Sequence, residues 1–185
     1  MSSNFVPRLI FLNLLLSLFF QTTFADFNPK LLKDGNKLIF IRHALAPGNG
    51  DPEGFKINDC KTQRNLNQTG INQAKKIGIF FKENKIKINQ VLTSQWCRCK
   101  DTARYAFKNF KEFNALNSTY QSPYDKNEAK QIKELKKYVK KWKNGNLVLV
   151  THYSIITSVT NAVPSSGEIV ITDKNFKVLS TILID

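Results

Sequence analysis

Histidine is nearly absent from this chain: His43 and His152 are the only two in 185 residues. Cysteine is scarce too, and the spacing of Cys60, Cys97 and Cys99 contains no C-x-x-C pair, which argues against the zinc frameworks and leaves no metal site to predict. Long apolar runs are missing: the stretch LIFLNLLLSLFF at residues 9 to 20 has twelve residues, short of the roughly twenty that a membrane-spanning helix needs. There is no internal repeat, no low-complexity segment and no basic stripe interleaved with aromatics, so no nucleic-acid partner is expected. Acidic residues are few, 14 against 28 Lys and Arg, and the formal net charge is +14. Such a field draws anionic surfaces and steers negative substrates, although the lysines of KQIKELKKYVKKWK read mainly as a solvated helix face.

What is present begins with a leader. MSSNFVPR carries Arg8 as its only charge, the short apolar run follows, and QTTFAD places Thr23 and Ala25 where a signal peptidase reads. These are the three parts of a secretory signal. The expected organisation is therefore a signal peptide over 1–25 and a single domain over 26–185, periplasmic or secreted. Its 42% hydrophobic composition suffices for an ordinary core. In an oxidising compartment two of the three thiols pair, and Cys60 is expected to bond Cys97 or Cys99, because a C-x-C bridge closes a strained ring.

KLIFI is a compact apolar strand ending at Arg42 and His43, followed by the irregular loop ALAPGNGDPEG. Ile71, Ala74, Ile77 and Phe81 recur at helical spacing. INQVLTS is a second strand, QWCRCKDTARYAFKNF a helix with Cys99, Ala103 and Ala106 or Phe107 on one face, and 111–124 a loop. A helix spans about Asp125 to Trp142, NLVLV is a third strand ending at Thr151 and His152, and SIITSVTNAV is a short helix. GEIVITDKNFKVLSTILID reads as two strands around a DKN turn. This alternation predicts an α/β fold: a three-layer α/β/α sandwich with a mostly parallel central sheet and a C-terminal β-hairpin.

In such sheets ligands collect at the carboxyl ends of the strands. KLIFI delivers Arg42 and His43 there, NLVLV delivers His152, and VLTS leads to Arg98 on the first turn of a helix. Two guanidiniums and two imidazoles around one point suit a tetrahedral oxyanion, since arginine forks bind phosphate oxygens and a neutral imidazole can attack phosphorus. Arg42 beside His43 is expected to favour that neutral form.

On these residues the chain resembles the histidine phosphatase superfamily, also called the phosphoglycerate mutase-like or acid phosphatase superfamily. IRHA is similar to its Arg-His-Gly signature, and SQWCRCKDTA (Ser94 to Ala103) to its Ser-Pro, two residues, Arg, Thr-Ala pattern. VTHYS is similar to the segment with the second histidine, and RNLNQTGINQA (Arg64 to Ala74) to the one that opens the first helix. The resemblance implies His43 as nucleophile, Arg42 and Arg98 as clamps on the phosphoryl oxygens, His152 as a further donor and Asn49 as a phosphate contact. Ala44 and Gln95 replace the usual glycine and proline. Tyr153 follows His152 where some relatives carry a proton-donating aspartate. Asp51 is the expected substitute acid; Glu128 lies on the lysine-rich helix and Glu168 opens the hairpin.

The expected activity is hydrolysis of phosphomonoesters through a phosphohistidine, with no cofactor. Phosphorylated small molecules or envelope glycans and lipids are the expected substrates, with membrane-surface contact in prospect; the oligomeric state is left open. The alternatives are a non-catalytic phosphate-binding envelope module and a mutase-like phosphotransferase.

Overall fold

The computed structural model describes residues 28–184; the leader read at 1–25 lies outside them. A six-stranded sheet carries the fold: β1 (Leu38–Arg42), β2 (Gln90–Thr93), β3 (Lys111–Glu112), β4 (Leu147–Thr151), β5 (Ile169–Thr172) and β6 (Val178–Ile182), in the order β3-β2-β4-β1-β5-β6. β1, β2, β3 and β4 run parallel, and β5 and β6 close the other edge antiparallel as the expected hairpin.

The alternation of strand side chains builds two cores. Ile39, Ile41, Val148 and Val150 face α2 (Gln68–Glu83) and α3 (Cys97–Phe107), packing on Ile77, Phe81, Cys99 and Ala103. Leu38, Phe40, Leu147 and Leu149 face the opposite way, onto Leu135 and Val139 of α4 (Glu128–Lys141) and Ile155 and Ile156 of α5 (Tyr153–Thr160). Burial on both faces is why β1 and β4 read as unbroken apolar runs rather than alternating ones. A short α1 (Lys30–Lys33) precedes the sheet. Among the described residues no helix is long and apolar enough to cross a membrane.

Two sequence expectations are corrected. The buried stripe of α2 runs through Gly70, Ala74, Ile77 and Phe81, so Gly70 takes the place expected of Ile71. The reason is steric: a Cβ on Gly70 would lie 2.0 Å from the Leu45 carbonyl oxygen, in the loop that follows β1. The segment 111–124 is no mere loop over the site. Its first residues form β3 at the sheet edge, and Ala115 to Thr119 are buried in the body of the domain.

Candidate active site

β1, β4 and the start of α3 deliver their polar residues to one end of the sheet. The His43 and His152 rings lie 5.4 Å apart, centroid to centroid. Arg98, 3% exposed, reaches both: Nε donates to His43 Nε2 at 3.2 Å, and Nη2 approaches His152 Nδ1 at 3.5 Å. With Arg42, Arg64, Asn49, Ser118, Tyr120, Gln121, Tyr153 and two glycines they line one narrow cleft.

The hydrogen bonds define the histidine tautomers, because a carbonyl only accepts and a guanidinium only donates. His43 Nδ1 lies 2.9 Å from the Ala44 carbonyl oxygen, so Nδ1 carries the proton and the Nε2 lone pair faces Arg98. His152 accepts at Nδ1 and donates from Nε2 to Ser94 Oγ at 2.9 Å; Ser94 in turn donates to Asn117 Oδ1 at 3.2 Å. Burial and then the Arg98 charge hold both imidazoles well below their ordinary value. Arg42, the chain neighbour expected to keep His43 neutral, is the smallest of the influences on it.

Arg42 donates from Nη1 to the Pro164 carbonyl at 2.9 Å, its guanidinium lies 5.3 Å from the centre of the Tyr153 ring, and its Nε is buried without a partner among the described residues. Asn49 sits at the rim, where its amide donates to the Tyr120 hydroxyl at 2.9 Å. Glycine is required at position 50, whose φ of +68° would strain any side chain and whose Cβ would meet Gln121 Oε1 at 2.9 Å.

Asp51, expected as the acid, lies beside the cluster as a hydrogen-bond acceptor. Its Oδ1 accepts from Arg98 Nη1 at 2.8 Å and from the Arg64 backbone N–H at 3.0 Å, and its Oδ2 accepts from Trp96 Nε1 at 2.9 Å. It does not line the cleft. Three donors thus hold this carboxylate against Arg98, outside the cleft. Glu128 accepts from Thr119 and Ser158, and Glu168 from the Ser165 backbone N–H; neither lines the cleft.

Sequence reasoning did not single out Arg64, whose Nε donates to the Gly50 carbonyl at 2.8 Å while its Nη1 donates to that of Ala46. Its signal was there, as the first residue of RNLNQTG. The cysteines resolve as a Cys60–Cys97 disulfide and a buried free Cys99. Burial pushes the Cys99 thiol up to about 12, and its Sγ lies 3.4 Å from His152 Nε2. Among the described residues no cluster of His, Cys, Asp and Glu could hold a metal ion.

The fold is shared with solved structures of low sequence identity. A protein histidine phosphatase SixA complexed with tungstate matches with a TM-score of 0.54 at 11% identity, covering 80% of this chain and 96% of the other. A phosphohistidine phosphatase SixA, itself assigned provisionally, from Agrobacterium tumefaciens gives 0.55 at 16% identity, over 80% and 98%. A phosphoserine phosphatase mutant from Entamoeba histolytica in complex with phosphoserine gives 0.54 at 17%, over 78% and 95%. No curated protein matches by sequence. Residues 38–117, which include His43, Arg64 and Arg98, match the family model described as Histidine phosphatase superfamily (branch 1), and the phosphatase structures above share the fold of the chain.

Proposed function

We propose that this protein is an exported phosphatase that hydrolyses phosphomonoesters through a phosphohistidine on His43. The observation that carries the reading is the tautomer of His43: a buried, neutral ring pinned at Nδ1, with its Nε2 lone pair facing the guanidinium of Arg98. Phosphoryl transfer is mostly positioning and compensation of charge on the equatorial oxygens. Arg42, Arg64 and Arg98 supply that charge. His152 adds a donor once a proton at Nδ1 is drawn in by the anionic phosphoryl group. Nε2 attacks phosphorus in line, the P–O ester bond breaks, and the ester oxygen takes up a proton and leaves as the alcohol; water then attacks phosphorus, gives back that proton, the P–N bond breaks, and phosphate and neutral His43 are released.

Export rests on the leader and the Cys60–Cys97 bond, since disulfides persist in oxidising compartments. Phosphates on envelope sugars or lipids are the substrates that such a location favours. The test is direct. The mature domain should release phosphate and yield an acid-quench-trapped phosphoprotein, and His43→Ala should abolish both while retaining some affinity for inorganic phosphate. A purified domain with no turnover on any phosphomonoester would instead be a phosphate-binding module.

A further inference from the structure

Cleaving an alkyl phosphate calls for a proton on the departing oxygen, and no carboxylate lines the cleft. Asp51 is spent on Arg98, Arg64 and Trp96. What lines the cleft beyond the imidazoles and guanidiniums is neutral: Asn49, Ser118, Tyr120, Gln121 and Tyr153, with Gly48 and Gly50. With His152 committed to the phosphoryl oxygens, the proton for the leaving oxygen comes from this set or from water. We propose that the phenol of Tyr153 is the general acid of the phosphatase reaction; the inference rests on the phosphohistidine reading above.

Four observations single out Tyr153. It is the first residue of α5, directly after His152, so the backbone that positions one end of the phosphoryl cluster also positions the phenol. Its ring is held between the Arg42 guanidinium, 5.3 Å from the ring centre, and the Tyr120 ring at 5.6 Å. Its hydroxyl makes no hydrogen bond among the described residues and is free to turn, whereas the Tyr120 hydroxyl is held by the Asn49 amide. Finally, the Arg42 cation can stabilise the phenolate left after proton transfer, by the charge that also contacts the phosphoryl group. Burial, with Tyr120 beside it, raises Tyr153 above its ordinary value, so it stays protonated through neutral pH; Arg42 opposes that rise.

The direction of attack agrees. His43 Nε2 lies deep among buried groups, so in-line displacement sends the ester oxygen toward the mouth, where Tyr120 is 42% exposed and Tyr153 half-buried. In the first step the Tyr153 O–H proton passes to the ester oxygen as its bond to phosphorus breaks, leaving phosphohistidine and phenolate. In the second the phenolate takes a proton from the attacking water, and phosphate leaves with both residues restored.

The experiment compares glycerol 2-phosphate, whose alkoxide must be protonated, with 4-nitrophenyl phosphate, whose phenolate leaves unaided. General acids contribute about 10²- to 10⁴-fold. Tyr153→Phe, which keeps the ring contacts, should lower the ratio of kcat/KM for the alkyl ester to that for the aryl ester by about 10²-fold or more. Inhibition by inorganic phosphate should persist in the variant, a combination that a purely structural tyrosine would not produce. A ratio equal to that of the wild type would overturn the proposal, as would a fall in Tyr120→Phe in place of Tyr153→Phe. A wild-type chain that cleaves the aryl ester alone overturns the acid and spares the phosphatase reading; one that cleaves neither overturns both.

Discussion

Asp51 and Arg98 form a buried ion pair, 2.8 Å between Oδ1 and Nη1, with each side chain 3% exposed. The pair fixes the guanidinium plane so that Nε is directed at His43 and Nη2 at His152. Asp51 thereby links the irregular loop after β1 to the first turn of α3 without touching the reacting atoms.

Asp51→Asn should therefore act through Arg98. Misplacing a charge-stabilising group costs up to about 10²-fold in rate, and removing one partner of a buried pair destabilises by about 3–5 kcal/mol. The loss in kcat/KM should be similar for alkyl and aryl phosphates, because a positioning residue is blind to the leaving group. A loss confined to alkyl esters would return Asp51 to the role of acid.

The histidines set a pH dependence of stability. Both are held well below their ordinary value when folded, chiefly by burial. Their contribution is thus fully present above the unfolded value of about 6.5 and is lost as the pH falls toward the folded values. Below about 6.5 the unfolding free energy should drop by up to about 1.4 kcal/mol per pH unit for each histidine. Urea titrations at pH 7.5 and 5.0 measure the drop, and His152→Gln should reduce it.

The disulfide ties the loop that carries Asp51 and Arg64 to the turn that carries Arg98. It spans a sequence separation of 37, for which the chain-entropy relation gives about 4 kcal/mol. The double variant Cys60→Ser, Cys97→Ser should lose stability of that order, read by thermal melting. Any effect on KM for small phosphate esters should be modest, because Asp51, Gln63 and the Arg64 carbonyl also tie this loop to Trp96, Cys97 and Arg98.

Gly70→Ala tests the approach of α2 to the loop after β1. Alanine has the higher helix propensity by about 1 kcal/mol, yet the clash with Leu45 should reverse the sign. A net loss of stability in denaturant and a lowered kcat/KM are expected, because Leu45 lies two residues from His43.

The parallel strands and the site cluster were readable because their signals are local. KLIFI and NLVLV have the length and β-branched content of strands buried on both faces, and each leads to a histidine. What escaped was whatever depends on contact across the chain. Gly70 is buried because Leu45 abuts it, which helical periodicity does not encode. Ala115 to Thr119 pack inside although their sequence reads as a loop, since Asn117 joins Ser94 and Gln95 in satisfying one another's polar groups. Asp51 lies beside the cluster, as its place in the loop after β1 suggests, and there it accepts from Arg98. Sequence supplies a carboxylate and its neighbourhood, while only geometry shows which donors occupy it. Arg64 was missed for the same reason, its side chain being turned back onto the loop by two carbonyls.

Cys99 gives the molecule an internal clock. With no exposed surface and a thiol raised to about 12, it can meet an alkylating reagent only when α3 lifts from the sheet. In the oxidised chain, the rate at which this one sulfur is trapped therefore counts openings of the catalytic end, and a ligand that seats itself among the arginines should slow the count.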